Sequence, residues 1–170
     1  MVAKSLTKLI DEAIIPALIL VIVKVIGVLA AAYFFKLNYE VNVSIFPKVS
    51  FQTLQDYILA ENYSNFAMFT AAALGSLSVI IRTYYLHETH ISPKVQQKLA
   101  RLNLENIVKP SYHLYHQAAI WLTFLWLTTG FLIISTTTKI TYLPITIIAV
   151  IVAINFSWIM ARDIEKEFNL

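Results

Sequence analysis

The chain has 170 residues, of which 58% are hydrophobic and only 14% charged, with a mean hydropathy of +0.68; a soluble domain carries roughly 45–50% apolar residues. That balance excludes an ordinary soluble domain and points to an integral membrane protein. The absence of cysteine excludes disulfides, thiolate metal sites, iron–sulfur clusters and cysteine nucleophiles, and a net charge of +3 with no basic tract or aromatic-basic interleaving excludes a nucleic-acid partner.

In chain order, residues 1–13 alternate Leu6, Leu9 and Ile10 with Lys4, Lys8, Asp11 and Glu12. This suits a helix lying along the headgroups before Pro16 admits the chain to the bilayer. Windows of about twenty residues with almost no charge are long enough to cross a hydrocarbon core of about 30 Å. Four occur, at 14–35, 65–85, 112–135 and 142–161. The Ala30-Ala31-Ala32 run offers a signal-peptide-like cleavage site, but the apolar stretch before it exceeds the usual run of about 7–15 residues and is interrupted by Lys24, so a retained first helix is expected.

Beyond the first span, Tyr39, Val41, Val43 and Ile45 alternate with Glu40, Asn42 and Ser44, the period-two pattern of a strand that Pro47 ends. A lone strand needs a partner, so pairing with a second copy or another protein is expected. Phe51, Leu54, Ile58 and Leu59 then form a short helical stripe leading to the second span, with Asp56 and Glu61 solvated. Two glycosylation triplets, Asn42-Val43-Ser44 and Asn62-Tyr63-Ser64, carry meaning only in a eukaryotic secretory pathway. Between spans two and three, 91–109 begins with Ser92-Pro93, a helix restart. Lys94, Lys98 and Arg101 fall on one face and Val95, Leu99 and Leu102 on another, as in an amphipathic helix lying in the membrane plane. The 136–141 connection is so short that spans three and four must be antiparallel neighbours. No internal repeat or inverted two-fold pattern is present.

Lysine and arginine set orientation because they are retained in cytoplasmic connections. Lys4, Lys8, Arg82, Lys94, Lys98, Arg101, Lys109, Arg162 and Lys166 fall on one side, against Lys36, Lys48 and Lys139 on the other. The expected fold is therefore an all-α integral membrane protein, one transmembrane domain over 1–170. It is a four-transmembrane-helix bundle in a plasma or inner membrane, with both termini cytoplasmic, a small structured extracytoplasmic loop, and the in-plane helix inside.

All four histidines form two His-x-x-His pairs, His87/His90 and His113/His116, at the exit of span two and the entrance of span three. Positions i and i+3 share a helix face, so four imidazoles at one depth could hold a transition metal, with Glu88 as a further ligand or hydrogen-bond acceptor. They could alternatively ligate a haem axially, with Arg82 or Arg101 on the propionates. Protonation near pH 6 would make the same cluster a pH switch. The competing reading is an interfacial belt, since Tyr84, Tyr85, Tyr112 and Tyr115 sit among them. A zinc-protease motif is excluded: His87-Glu88-Thr89-His90 is one residue too short.

Lys24 lies near the middle of span one, where an ammonium costs at least about 2.5 kcal/mol, and no acidic residue lies inside any window to pair with it. Asn155 and Ser157 on span four, or Thr70 and Ser76 on span two, are its candidate neighbours. Ala67, Ala71, Gly75 and Ser78 line one side of span two, and Gly27 and Ala31 offer a matching surface on span one, as in closely packed membrane helices.

These features favour a non-enzymatic membrane module acting through lipids, a membrane-protein partner or a second copy, with Arg82, Lys94, Lys98 and Arg101 on headgroups. The alternative is a metal- or haem-binding redox protein centred on the histidines. A third reading, a small channel or transporter, rests on the intramembrane polar residues Lys24 and Asn155.

Overall fold

The computed structural model describes residues 2–42, 48–85, 91–102 and 111–167. Helix α1 (Val2–Phe34) is followed by strands β1 (Tyr39–Asn42) and β2 (Lys48–Phe51), then helices α2 (Leu54–Tyr85), α3 (Pro93–Arg101), α4 (Ser111–Thr137) and α5 (Leu143–Glu167). Four helices, α1, α2, α4 and α5, are long and apolar enough to cross a membrane.

Helix α1 runs unbroken through Pro16, so the expected separation between a surface helix and the first span is absent. A proline forfeits one backbone hydrogen bond, here to the Glu12 carbonyl, and tends to bend a helix rather than end it when the surroundings hold both sides. Both α1 and α4 end in the same way. Lys36 and Lys139 adopt left-handed backbone, with φ of 52° and 60°. Leu37 N–H donates to Ala32 O at 2.9 Å and Ile140 N–H to Ser135 O at 2.9 Å. These are Schellman caps, which satisfy carbonyls that the helix can no longer serve.

The strand expected over residues 39–45 finds its partner inside the chain. Tyr39 pairs with Phe51, Glu40 with Ser50, Val41 with Val49 and Asn42 with Lys48 in an antiparallel hairpin, so no second copy or other protein is required to complete it; Val43 and Ile45 lie outside the described residues. Lys48–Phe51 alternates polar and apolar residues as β1 does, and Phe51 belongs to this strand rather than to a helical stripe. The rings of Tyr39, Phe51 and Tyr57 follow one another at 6.5 and 6.4 Å between centroids, tying the hairpin to α2. Thr53 caps α2, its Oγ1 accepting from Asp56 N–H at 3.1 Å. From there α2 continues without a break for 32 residues, about 48 Å, absorbing both the short stripe and the second span.

Helix α2 touches each of α1, α4 and α5, while α1 also meets α4 and α4 meets α5. The core lies along it: Leu20, Phe69, Ala72, Leu125, Leu132, Ala149 and Ala153, extended by Val79, Ala118 and Met160. Many large apolar side chains lie on the outer surface. Ile15, Val21, Leu127, Ile134, Ile151 and Trp158 are all more than half exposed, whereas Ser64, Asn65, Ser76 and Thr129 are fully buried. Apolar outside and polar inside is the distribution that suits lipid, where buried polar groups hydrogen-bond between helices.

The small residues of α2 serve two neighbours rather than one. A Cβ at Gly27 would come 2.8 Å from Ser64 Cα and 3.3 Å from Ala67 Cβ, so α1 and α2 are in backbone contact there. Gly75 turns instead to α4, where the Trp121 ring occupies the space a side chain would need, and Ser76 Oγ donates to Trp121 O at 3.2 Å. Gly75→Leu should therefore destabilise the bundle by about 1–3 kcal/mol, the usual cost of overpacking. Gly130→Ala, where a Cβ meets nothing within 4 Å, should be neutral or stabilising by up to about 1 kcal/mol through helix propensity. Thermal unfolding in detergent checks both, and equal midpoints for the two variants would refute the Gly75–Trp121 contact.

Candidate functional site

The most elaborate polar cluster among the described residues forms around Lys24. Its ammonium donates to Glu61 Oε2 at 2.8 Å and to Asn65 Oδ1 at 2.8 Å, both on α2, and lies 5.0 Å from the centroid of the Phe131 ring on α4. Lys24 and Glu61 side chains retain 31% and 20% of their exposure, so the pair is shielded without being sealed. The partners expected for Lys24, namely Asn155, Ser157, Thr70 and Ser76, are not the ones it meets. Asn155 is exposed and donates to Ile151 O of its own helix at 2.7 Å. Ser157 accepts from Trp126 Nε1 at 2.9 Å. Lys24 and Asn155 are thus not brought together.

The sequence places Glu61 in solvent because the hydropathy window of the second span begins at residue 65. The helix actually begins eleven residues earlier, at Leu54, which carries Glu61 into the bundle. The signal that could have found it is the spacing: Glu61 and Asn65 are four apart, on one helix face, and both acceptors suit one ammonium.

The depth of Lys24 also differs from its place in the sequence. Asn65 links it to the α4–α5 turn, donating from Nδ2 to Thr141 Oγ1 at 3.2 Å. One helical turn away, Asn62 holds the same connection, donating to Ile140 O at 2.7 Å and accepting from Tyr142 N–H at 2.8 Å. Lys24 therefore lies level with the end of the α4–α5 pair, and α1 and α2 reach beyond it to the hairpin.

At the opposite end, His113 and His116 stand in the first turns of α4, and His116 Nε2 faces Glu12 Oε2 of α1 at 3.5 Å. Tyr115 O–H donates to Asp163 Oδ2 of α5 at 3.4 Å. This stretch of α4 thus joins three helices at one level. His87, His90 and Glu88 lie outside the described residues, and among the described residues no group of three histidines, aspartates or glutamates is placed to hold a metal.

Arg82 is exposed in the last turn of α2. Arg162, four residues from Trp158 on α5, lies 4.8 Å from the centroid of its ring. Both cations are at the same end as His116. Lys94, Lys98 and Arg101 are exposed on α3, which begins after Ser92 with proline in its first turn, as the sequence suggests.

Compared with known proteins, the chain matches no family model, no curated protein and no solved structure.

Removing one partner of the Lys24 pair strands the other, so Glu61→Gln and Lys24→Met should each lower stability by about 1–3 kcal/mol. The double variant Lys24→Met/Glu61→Leu should recover part of that loss, since it leaves no stranded charge. A double-mutant cycle on detergent-solubilised protein reads the coupling; strictly additive losses would mean that the two side chains act independently.

Proposed function

We propose that the protein is a non-enzymatic membrane module whose cytoplasmic face docks on acidic lipid headgroups. In this reading the bundle spans a plasma or inner membrane with both termini and α3 inside and the hairpin outside. The observation that carries it is α3. Its basic residues Lys94, Lys98 and Arg101 are exposed, Val95 within it and Leu102 just after it are 47% and 61% exposed, and among the described residues it has no extended interface with another element. A nine-residue helix is well below the roughly 12–15 residues that sustain an isolated helix in water. A lipid surface supplies what the bundle does not: an apolar medium for Val95 and Leu102 and negative potential for the three cations. At about 1 kcal/mol for each basic residue near an anionic surface, the three together are worth on the order of a hundredfold in binding.

Because the chain lacks cysteine, single cysteines report cleanly. A polarity-sensitive dye on Val95→Cys should shift to the blue in proteoliposomes containing acidic lipid. The shift should reverse in high salt, which screens exposed charges, and vanish when Lys94, Lys98 and Arg101 are all changed to Gln. Identical spectra in acidic and neutral vesicles would remove the docking role. A membrane-impermeant maleimide applied to intact cells should label Glu40→Cys and spare Gln97→Cys; the reverse pattern would invert the orientation.

A further inference from the structure

The helices that touch closely at the hairpin end separate at the other. Where Gly27 meets Ser64, α1 and α2 are in backbone contact. Fifteen residues earlier along α1, about 22 Å away, a crevice of about 430 Å³ opens between α1, α2 and α4. That volume lies within the roughly 300–1,000 Å³ typical of small-molecule sites.

Its lining is divided by chemistry. Ile15 and Ile19 of α1, 64% and 38% exposed, form an apolar side that faces outward from the bundle. Glu12, Ser78, Arg82 and Gln117 supply an anion, a hydroxyl, a cation and an amide from three helices. The buried Ile120 and the half-buried Trp121 close the back. Trp121 is held there by Gly75 and by the Ser76 hydrogen bond to its carbonyl.

We infer that this crevice binds one phospholipid whose headgroup carries both a phosphodiester and a primary ammonium, an ethanolamine-type lipid. The phosphodiester fits the donors: the Arg82 guanidinium, which pairs well with phosphate oxygens, together with the Gln117 amide; the Ser78 hydroxyl already donates to Gly75 O at 2.8 Å. The ammonium fits Glu12, which already faces the His116 imidazole at 3.5 Å. An acyl chain continues along Ile15 and Ile19 toward the bilayer centre. Glu12 gives the site its selectivity, because a second negative group on the headgroup would meet a carboxylate at low dielectric. The preference is thus opposite to that of α3, whose cations attract any acidic surface. A lipid rather than a soluble metabolite is indicated because the exposed isoleucines make the crevice open sideways, through the apolar belt.

The inference rests on the membrane reading above but not on the role of α3. Delipidated full-length protein in detergent is titrated with phosphatidylethanolamine or phosphatidylglycerol of matched acyl chains, and bound lipids are counted by native mass spectrometry. One phosphatidylethanolamine should bind about tenfold more tightly than phosphatidylglycerol, and Arg82→Gln should weaken both by about tenfold, the scale of one charge-assisted hydrogen bond. Glu12→Gln should bring the two lipids to equal affinity. Gln117→Leu, which spares the Glu12–His116 contact, should weaken phosphatidylethanolamine in a protein that still folds. Equal binding of both lipids to the unaltered protein, or no effect of Arg82→Gln, overturns the site. So does glycerophosphoethanolamine binding as tightly as the intact lipid. Extraction of the protein from native membranes by alkaline carbonate would overturn the membrane reading as well, whereas loss of selectivity in a carbonate-resistant protein overturns the lipid site alone.

Discussion

The bundle is held by close approach to α2. Between helices in lipid there is little hydrophobic drive, because the surrounding chains are as apolar as the side chains they would replace. Cohesion comes from dispersion at short range and from hydrogen bonds between helices. Helix α2 supplies these to its neighbours: Ser64 and Ala67 admit Gly27 of α1, Gly75 and Ser76 receive Trp121 of α4, and Asn62 and Asn65 bond the α4–α5 turn. Ser64 adds a hydrogen bond from Oγ to Lys24 O at 2.7 Å, so the same small residue provides both the approach and the bond.

The two ends of the bundle use their charges differently. At the hairpin end, Lys24 is held by Glu61, Asn65 and Phe131, and the amides of Asn62 and Asn65 add side-chain bonds to a turn that also bonds its own backbone. Polarity at this end is spent on cohesion. At the other end, Glu12 faces His116 at 3.5 Å and Tyr115 donates to Asp163 at 3.4 Å. Arg82, Arg162 and the cations of α3 face outward there. The exposed cations at the end opposite the hairpin are what the proposed lipid-docking role draws on.

Trp121 connects the two halves. Its ring fills the notch above Gly75, and the residue also lines the crevice beside Glu12 and Arg82. Packing at the centre of the bundle therefore shapes the space below it.

The four apolar windows were legible in the sequence because hydropathy summed over twenty residues is a property of composition and needs no knowledge of neighbours. The start of α3 after Ser92-Pro93 was legible for a similar reason: its signal is local backbone chemistry. The partner of β1, the counterion of Lys24 and the division of the α2 small residues between α1 and α4 were not. Each depends on which residues distant in sequence arrive at the same depth, and apolar periodicity leaves helix rotation and axial offset free. Glu61 shows how this works: it looked solvated only because a window ends where hydropathy falls, whereas a helix ends where its backbone hydrogen bonds stop. The sequence by itself determined that the chain carries four apolar segments long enough to cross a membrane. The tertiary structure alone decided that Lys24 sits level with the α4–α5 turn, paired with Glu61, because an ion pair is specified by distance and depth rather than by pattern.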